Sequence, residues 1–326
     1  MSEASVAGIL SGKPIEDLIG GFSSGEKPPQ AHRVGTEYET FGIRSADSMP
    51  IHYRAQNGSA SVSGILQGLQ ERLEWTPLWD GGALVGLADG MMSIQLEPAG
   101  QVEFSGAPHR SLFQAYNEIA ELELHKQAVA DELGIEWMWS GYIPAHGFED
   151  LDLMPKTRYA IMNRYLPIQG ELALHMMKRT CTVQANLDYS DEHDMGHKLR
   201  TAMGCSSIIA AMFANSAFQN GAPNGFRTFR TQIWSKTDPQ RCGLLPWVFD
   251  GALPTYERYA DWAMDVPLFF IVRDGAYLDC AGLPFRTFLQ KGFKGNRATM
   301  TDWHTHLSTL FPEVRLKTYL EVRGAE

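Results

Sequence analysis

Residues 179–189 read RTCTVQANLDY, and their alternation decides the fold class. Thr180, Thr182, Gln184, Asn186 and Asp188 fall on one side of an extended chain, with Cys181, Val183, Ala185, Leu187 and Tyr189 on the other. A period of two with one polar side predicts a strand that buries a single face. The same division returns at 314–323, where Val314, Leu316, Leu320 and Val322 oppose Arg315, Lys317, Tyr319, Glu321 and Arg323. In 33–43, Arg33, Gly35, Glu37 and Glu39 share a side. In 93–105, Ile94 and Leu96 oppose Gln95 and Glu97; Pro98-Ala99-Gly100 then offers a turn, and Val102 and Phe104 oppose Gln101, Glu103 and Ser105.

Strands of a parallel sheet are covered on both faces and read as continuous apolar runs, so clean alternation predicts an antiparallel sheet with helices on one face only. The fold class expected is α+β, a curved antiparallel sheet backed by helices. Helical periodicity is expected at 109–133, closed by Gly134, with Leu112, Tyr116, Ile119, Leu122 and Leu124 as its stripe. It is expected again at 191–215, with Ser190 or Asp191 as cap and Met195, Leu199, Met203 and Ile208 inward, and at 60–73 and 254–264. The run Trp137-Met138-Trp139, before Gly141-Tyr142, reads as a core strand rather than a ligand platform. Residues 1–30 are rich in Gly, Ser and Pro and read as a loose lead-in carrying a short helix, and 31–326 as a single catalytic domain without internal repeats.

Composition bounds the function. Of 326 residues, 44% are apolar and 20% charged, enough to form a core and too apolar for a disordered chain. The 28 Lys+Arg against 38 Asp+Glu leave a net charge of −10, which argues against general nucleic-acid binding. Four scattered cysteines form neither a zinc pattern nor a disulfide framework. The start, MSEASVAGILSGKPIEDLIGG, lacks a basic segment followed by an apolar core, and the longest apolar stretch, 205–218, is broken by Ser206, Ser207, Asn215 and Ser216. The expectation is a soluble cytoplasmic protein with no membrane partner, its oligomeric state open between monomer and homodimer.

The polar strand faces carry the chemistry. Glu37, Glu39, Glu97, Glu103 and Glu321 on one concave surface repel one another unless a cation joins them, and hard divalent ions take oxygen ligands together with phosphates. With Arg179, Arg315 and Arg323 alongside, the face reads as a Mg-ATP site; the plain alternative is a solvated sheet face. Arg227 and Arg230, beside a Gly/Pro/Asn loop, read either as an anion clamp or as ordinary surface arginines. No GxGxxG, GxxxxGK[ST] or GxSxG motif occurs, and the histidines have no triad or metal spacing.

Six motifs then come in order: GTEYETFG (35–42), LEPAGQVEFSGAP (96–108), MPKTRYAIMNRYLP (154–167), RTCTVQANLDYSDE (179–192), FANSAFQNGAPNGFRTFRTQIW (213–234) and FPEVRLKTYLEVRGAE (311–326). Together they resemble the plant and proteobacterial type of glutamate–cysteine ligase. That resemblance implies a glutamine-synthetase-like catalytic fold and ATP-dependent joining of the glutamate γ-carboxylate to the cysteine amine, the first step of glutathione synthesis. It implies Glu37, Glu39, Glu97, Glu103 and Glu321 as Mg²⁺ ligands, Arg323 with Glu321 as catalytic residues and Arg323 with Arg315 as ATP contacts. It further implies Arg179 and Thr180 at the glutamate site and Arg227 and Arg230 as anion contacts. Family members continue past YLEVRGAD with further helices, whereas this sequence stops at Glu326, and the redox disulfides of plant members have no local match. A related ligase with another amine acceptor, or a shortened non-catalytic relative, stays open at this level.

Overall fold

A computed structural model describes residues 14–56 and 60–326. The part of the expected lead-in before residue 14 lies outside the described residues. Residues 14–23 are better ordered than a loose segment: they form helix α1 (Pro14–Ser23), whose Leu18 and Phe22 are fully buried.

The frame is a nine-stranded sheet in which every strand pairing is antiparallel. Its strands are β1 (Val34–Arg44), β2 (Thr76–Asp80), β3 (Ala83–Asp89), β4 (Met92–Leu96), β5 (Val102–Ser105), β6 (Ile135–Met138), β7 (Val183–Leu187), β14 (Val314–Leu316) and β15 (Leu320–Ala325). The order is β14-β15-β7-β1-β5-β4-β3-β2, with β6 on the far end of β1. Between β7 and β14 lie three small two-stranded sheets, formed by β8 (Phe218–Gln219) with β9 (Ala222–Pro223), β10 (Cys242–Gly243) with β13 (Phe311–Pro312), and β11 (Phe270–Arg273) with β12 (Ala276–Asp279). Register places Glu39 opposite Glu103, Gln95 beside Glu103, Glu37 opposite both Ser105 and Gln184, and Asn186 opposite Glu321.

The apolar sides of these strands meet helices. Tyr38, Ile94 and Phe104 pack with α2 (Val62–Leu73) and α3 (Leu112–Leu133), while Val314, Leu316 and Leu320 pack with α6 (Glu192–Met212) and α8 (Tyr256–Asp265). Burying such side chains is worth about 1.5–3 kcal/mol each, which fixes the register, because a slip of one residue would turn the carboxylates into this core. The helix starts follow their caps: Ser61, Ser111, Asp191 and Thr255 each accept a backbone N–H of the first turn. Gly134 closes α3 at φ 66, where a side chain would strain the backbone.

Three expectations need correction. The expected stripe of α3 is largely exposed: Leu112, Tyr116 and Leu124 face solvent, and Ala115, Leu122, Lys126, Val129 and Ala130 face inward. Lys126 is buried because its ammonium meets Thr40, Glu123 and the faces of Tyr38, Trp137 and Trp139. The 179–189 run is not one strand, since Arg179 ends helix α5 (Ala173–Arg179), Thr180 makes only an isolated bridge to Tyr142, and the strand of the large sheet begins at Val183. The 314–323 run is a hairpin, folded so that Arg315 faces Glu321. The remaining helices, α4 (Thr157–Gln169), α7 (Phe229–Ser235), α9 (Phe285–Lys291) and α10 (Met300–Ser308), were not expected from periodicity.

Candidate active site

The polar face of the sheet floors a cavity of about 540 Å³. Its lining includes Glu37, Glu39, Glu97, Glu103, Arg158, Arg315 and Arg323. Strand alternation delivers Glu37 and Glu39 from β1 and Glu103 from β5. The tight turn 97–101, with Glu97 N–H donating to the Gln101 carbonyl at 2.8 Å and Gly100 at φ 90, swings Glu97 over them. Gln101 holds this turn: its Oε1 accepts Ala99 N–H and its Nε2 donates to the Met177 and Thr180 carbonyls.

Glu39, Glu97 and Glu103 each bring a carboxylate oxygen within 4.8 Å of the other two. Burial, together with Glu97 and Glu103, pushes the Glu39 carboxyl well above the ordinary carboxylate range, partly offset by Arg230 and Arg323. Burial, then Glu97 and Glu37, raises Glu103 to about 8. Three half-buried oxygen donors that resist ionising together are a fit to a hard divalent cation, whose charge removes that resistance.

Glu321 occupies a different place from the one expected. It is fully buried and sits beneath the cavity surface, where Arg315 Nη2 donates to both its oxygens at 2.6 and 2.8 Å, Lys317 Nζ lies at 3.2 Å, and Arg323 Nη1 donates to Oε1. Burial alone would raise its carboxyl, but Arg315, Lys317 and Arg323 outweigh burial and hold it far below the usual range. It is a clamp that sets the arginines. Arg323 Nη1 also donates to Gln184 Oε1 at 2.8 Å, so that guanidinium is fixed from two sides on the cavity wall.

The other expected residues are placed apart. Arg179 is buried off the cavity, stacked at 4.5 Å on Tyr142 and donating to the Ile143 carbonyl at 3.1 Å; Thr180 donates to the Met176 carbonyl at 2.7 Å. Both are structural in this geometry, because the chain there is the end of a helix and not an open strand. Thr182 likewise turns from the cavity to the backbone of β15. Arg227 is exposed on its loop. Arg230 is buried just off the cavity, donating to the Arg323 carbonyl at 3.3 Å, with its Nε unpartnered.

Several lining residues carried no periodic signal. Arg158 and Tyr159, from the start of α4, reach Glu97: the Tyr159 hydroxyl lies 3.1 Å and Arg158 Nη2 3.7 Å from its Oε1. Lys156 is buried with Nζ 3.2 Å from Gln95 Oε1, and burial, with Arg158 beside it, lowers its ammonium to about 8. Ser105 donates to Glu103 at 2.8 Å and so orients a carboxylate. The motif MPKTRY, quoted only for resemblance, was the available signal for Lys156, Arg158 and Tyr159.

The model of glutamate–cysteine ligase family 2 matches residues 33–326, which includes every residue of this cavity named above. The chain belongs to the glutamate–cysteine ligase family. It is 43% identical over 323 residues to the chloroplastic glutamate–cysteine ligase of Nicotiana tabacum, 98% of this chain and 60% of that protein. It is 45% identical to that of Arabidopsis thaliana with the same coverage. The chain thus spans about 60% of the length of curated relatives it matches. A crystal structure of the Francisella tularensis glutamate–cysteine ligase with AMP aligns at a TM-score of 0.48 and 11% identity, covering 90% of this chain and 60% of that one. The cytoplasmic expectation is corrected here, because the plant relatives that this chain matches are named as chloroplastic enzymes and not cytoplasmic ones. An N-terminal composition argues only about a secretory signal and says nothing of which compartment a soluble enzyme occupies.

Proposed function

We propose that this chain carries the ATP-dependent joining of the glutamate γ-carboxylate to the amine of cysteine, the first step of glutathione synthesis. The observation that carries it is the Glu39, Glu97, Glu103 trio facing Arg323 across one cavity in a member of this family. We read residues 31–326 as one catalytic unit, and the curved antiparallel sheet with its polar concave face as glutamine-synthetase-like.

A carboxylate is a poor acyl donor. An oxygen of the γ-carboxylate attacks the γ-phosphorus of ATP and ADP leaves; the amine then attacks the acyl carbon and phosphate leaves, so no protein nucleophile is needed. Glu39, Glu97 and Glu103 would hold Mg²⁺, which when bound supplies charge neutralisation for the triphosphate. Arg323, fixed by Glu321 and Gln184, presents its guanidinium where negative charge grows during transfer, and being held in advance costs no reorganisation. Arg315 completes the clamp from beneath. Arg158 donates from Nη2 to the Tyr159 hydroxyl at 3.0 Å and pairs with Glu97 only at 3.7 Å, which leaves its Nε unpartnered, and with Met162 and Phe270 on the same wall it suits an amino-acid carboxylate and its side chain. Arg230 supports Glu39 and Arg323 from the buried side.

The test is phosphate release with Mg²⁺, ATP and glutamate, measured against a panel of amines. Release that requires cysteine supports the reading. Release with another amine and not with cysteine would replace the acceptor, and no release with any amine would remove the activity from this chain.

A further inference from the structure

Spacing along the sequence assigned no histidine to a metal, and the folded helix corrects this for one pair. His193 and His197 lie four residues apart on α6, so one helical turn stacks them on the same face. Met195, Leu199 and Met203 turn the opposite face into the core against Val314, Leu316 and Leu320, which leaves both imidazoles exposed. The two rings meet edge to face, with centroids 4.6 Å apart and 70° between their planes.

Both rings are also uncommitted. His32, His52, His109, His146, His175 and His306 each contact a carbonyl, carboxylate or hydroxyl oxygen. Among the described residues, His193 and His197 make neither a hydrogen bond nor an ion pair. The surrounding charges do not oppose a cation. The positive end of the helix dipole lies here, but Asp191 caps it and Glu192 and Asp194 stand in its first turn. Lys198 turns its ammonium onto Asp194 and the Asp188 carbonyl, and Arg200 is engaged by the carbonyls of Val248, Gly251 and Ala252.

The separation of the rings selects the metal. With a metal about 2.0–2.1 Å from each imidazole nitrogen and the ring centre about 1.1 Å behind it, two centroids lie roughly 4.5 Å apart at a right angle and roughly 5.2 Å apart at the tetrahedral angle. The observed 4.6 Å fits adjacent positions of a square-planar or octahedral ion, the geometry of Cu²⁺ and Ni²⁺. The terminal torsion of an exposed imidazole is broad, so one nitrogen of each ring turns onto a shared ion at little cost. Mg²⁺ takes oxygen ligands and is not a competitor. We propose that His193 and His197 form a chelate for Cu²⁺ or Ni²⁺ on the outer face of α6, with water in the remaining positions. The site lies apart from the cavity and does not depend on the ligase reading.

Calorimetric titration of the whole chain with Ni²⁺ tests it, in excess Mg²⁺ so that the carboxylate trio is occupied, for the parent protein, His193→Ala, His197→Ala and, as a control on α3, His125→Ala. The second imidazole of a chelate binds an ion already held by the first, so each of the two α6 variants should weaken Ni²⁺ binding at least about tenfold. His125→Ala should stay within about twofold of the parent. Electron paramagnetic resonance of one equivalent of Cu²⁺ should show two directly bound imidazole nitrogens in the parent and one in either α6 variant. A parent that takes up no Ni²⁺ in excess Mg²⁺ overturns the inference, as do α6 variants that bind it as tightly as the parent. If either variant melts early, the nitrogen count in the parent carries the test, and fewer than two nitrogens on Cu²⁺ overturns the chelate.

Discussion

Replacing Glu321 with Gln separates a clamp from a metal ligand. The carboxylate is fully buried and receives Arg315 through two oxygens at 2.6 and 2.8 Å, Lys317 at 3.2 Å and Arg323. An amide keeps the shape, but it loses the charge and turns two N–H donors toward three cations. Removing one member of a buried ion pair costs about 3–5 kcal/mol, because the partners stay buried and uncompensated. For a chain of 326 residues with an unfolding entropy of roughly 2.1 cal/mol/K per residue, that is a fall in Tm of about 4–7 °C. The trio is untouched by the change, so Mg²⁺ affinity of the variant at a temperature where it is folded should stay within a few fold of the parent. Thermal unfolding followed by circular dichroism, with metal titration on the same sample, reads both. A variant as stable as the parent that no longer binds Mg²⁺ would refute the reasoning and return Glu321 to the metal.

Glu103→Gln should do the opposite. Burial lifts the folded carboxyl to about 8 from its ordinary 4.5, so in the metal-free protein the unfolded chain gives up this proton first, and stability contributed by the protonated form is lost as pH rises from about 4.5 to about 8. The variant should flatten that decline in urea unfolding measured at pH 5 and pH 8 without metal, and should weaken Mg²⁺ binding at least tenfold; an unaltered pH slope would contradict the assigned burial. Arg158→Ala should raise the KM for an amino-acid substrate about 10- to 100-fold with little change for ATP, the loss expected of one charge-assisted contact. Arg179→Ala should instead lower Tm and leave both KM values within about twofold; a selective rise in the glutamate KM in Arg179→Ala would bring that residue back into the site.

What could be read from the sequence follows from the period of a strand. Two residues per repeat is an unambiguous rule, so the side chains of Glu37, Glu39 and Glu103 could be assigned to one face without knowing the sheet order. The same rule misled where the chain is not extended: Thr180 and Thr182 alternate correctly with Gln184, yet the segment leaves a helix there and both hydroxyls bond backbone carbonyls. Glu321 shows a second limit. Alternation gave its face, but its neutralisation by Arg315 depends on a hairpin fold-back that the run 314–323 does not announce. Helical stripes are less decisive than strand faces, because several sets of positions satisfy a period of 3.6; on α3 the set through Leu122, Lys126 and Val129 is inward, fixed by aromatic faces around the Lys126 ammonium that no local pattern predicts. Arg158, Tyr159 and Lys27 come to the cavity from segments distant in sequence, so only the folded chain places them beside the trio.

The most direct measurement of the proposed chemistry is the fate of oxygen. Glutamate carrying ¹⁸O in its γ-carboxylate, turned over with Mg²⁺, ATP and cysteine, should pass one labelled oxygen per turnover to the released phosphate, because that oxygen forms the bond to phosphorus in the acyl phosphate and leaves with it when the amine attacks the acyl carbon. Peptide formed with unlabelled phosphate, the expelled γ-carboxylate oxygen appearing instead in water or in AMP, would contradict activation of the carboxylate by transfer of the γ-phosphoryl group at the Glu39, Glu97, Glu103 and Arg323 site.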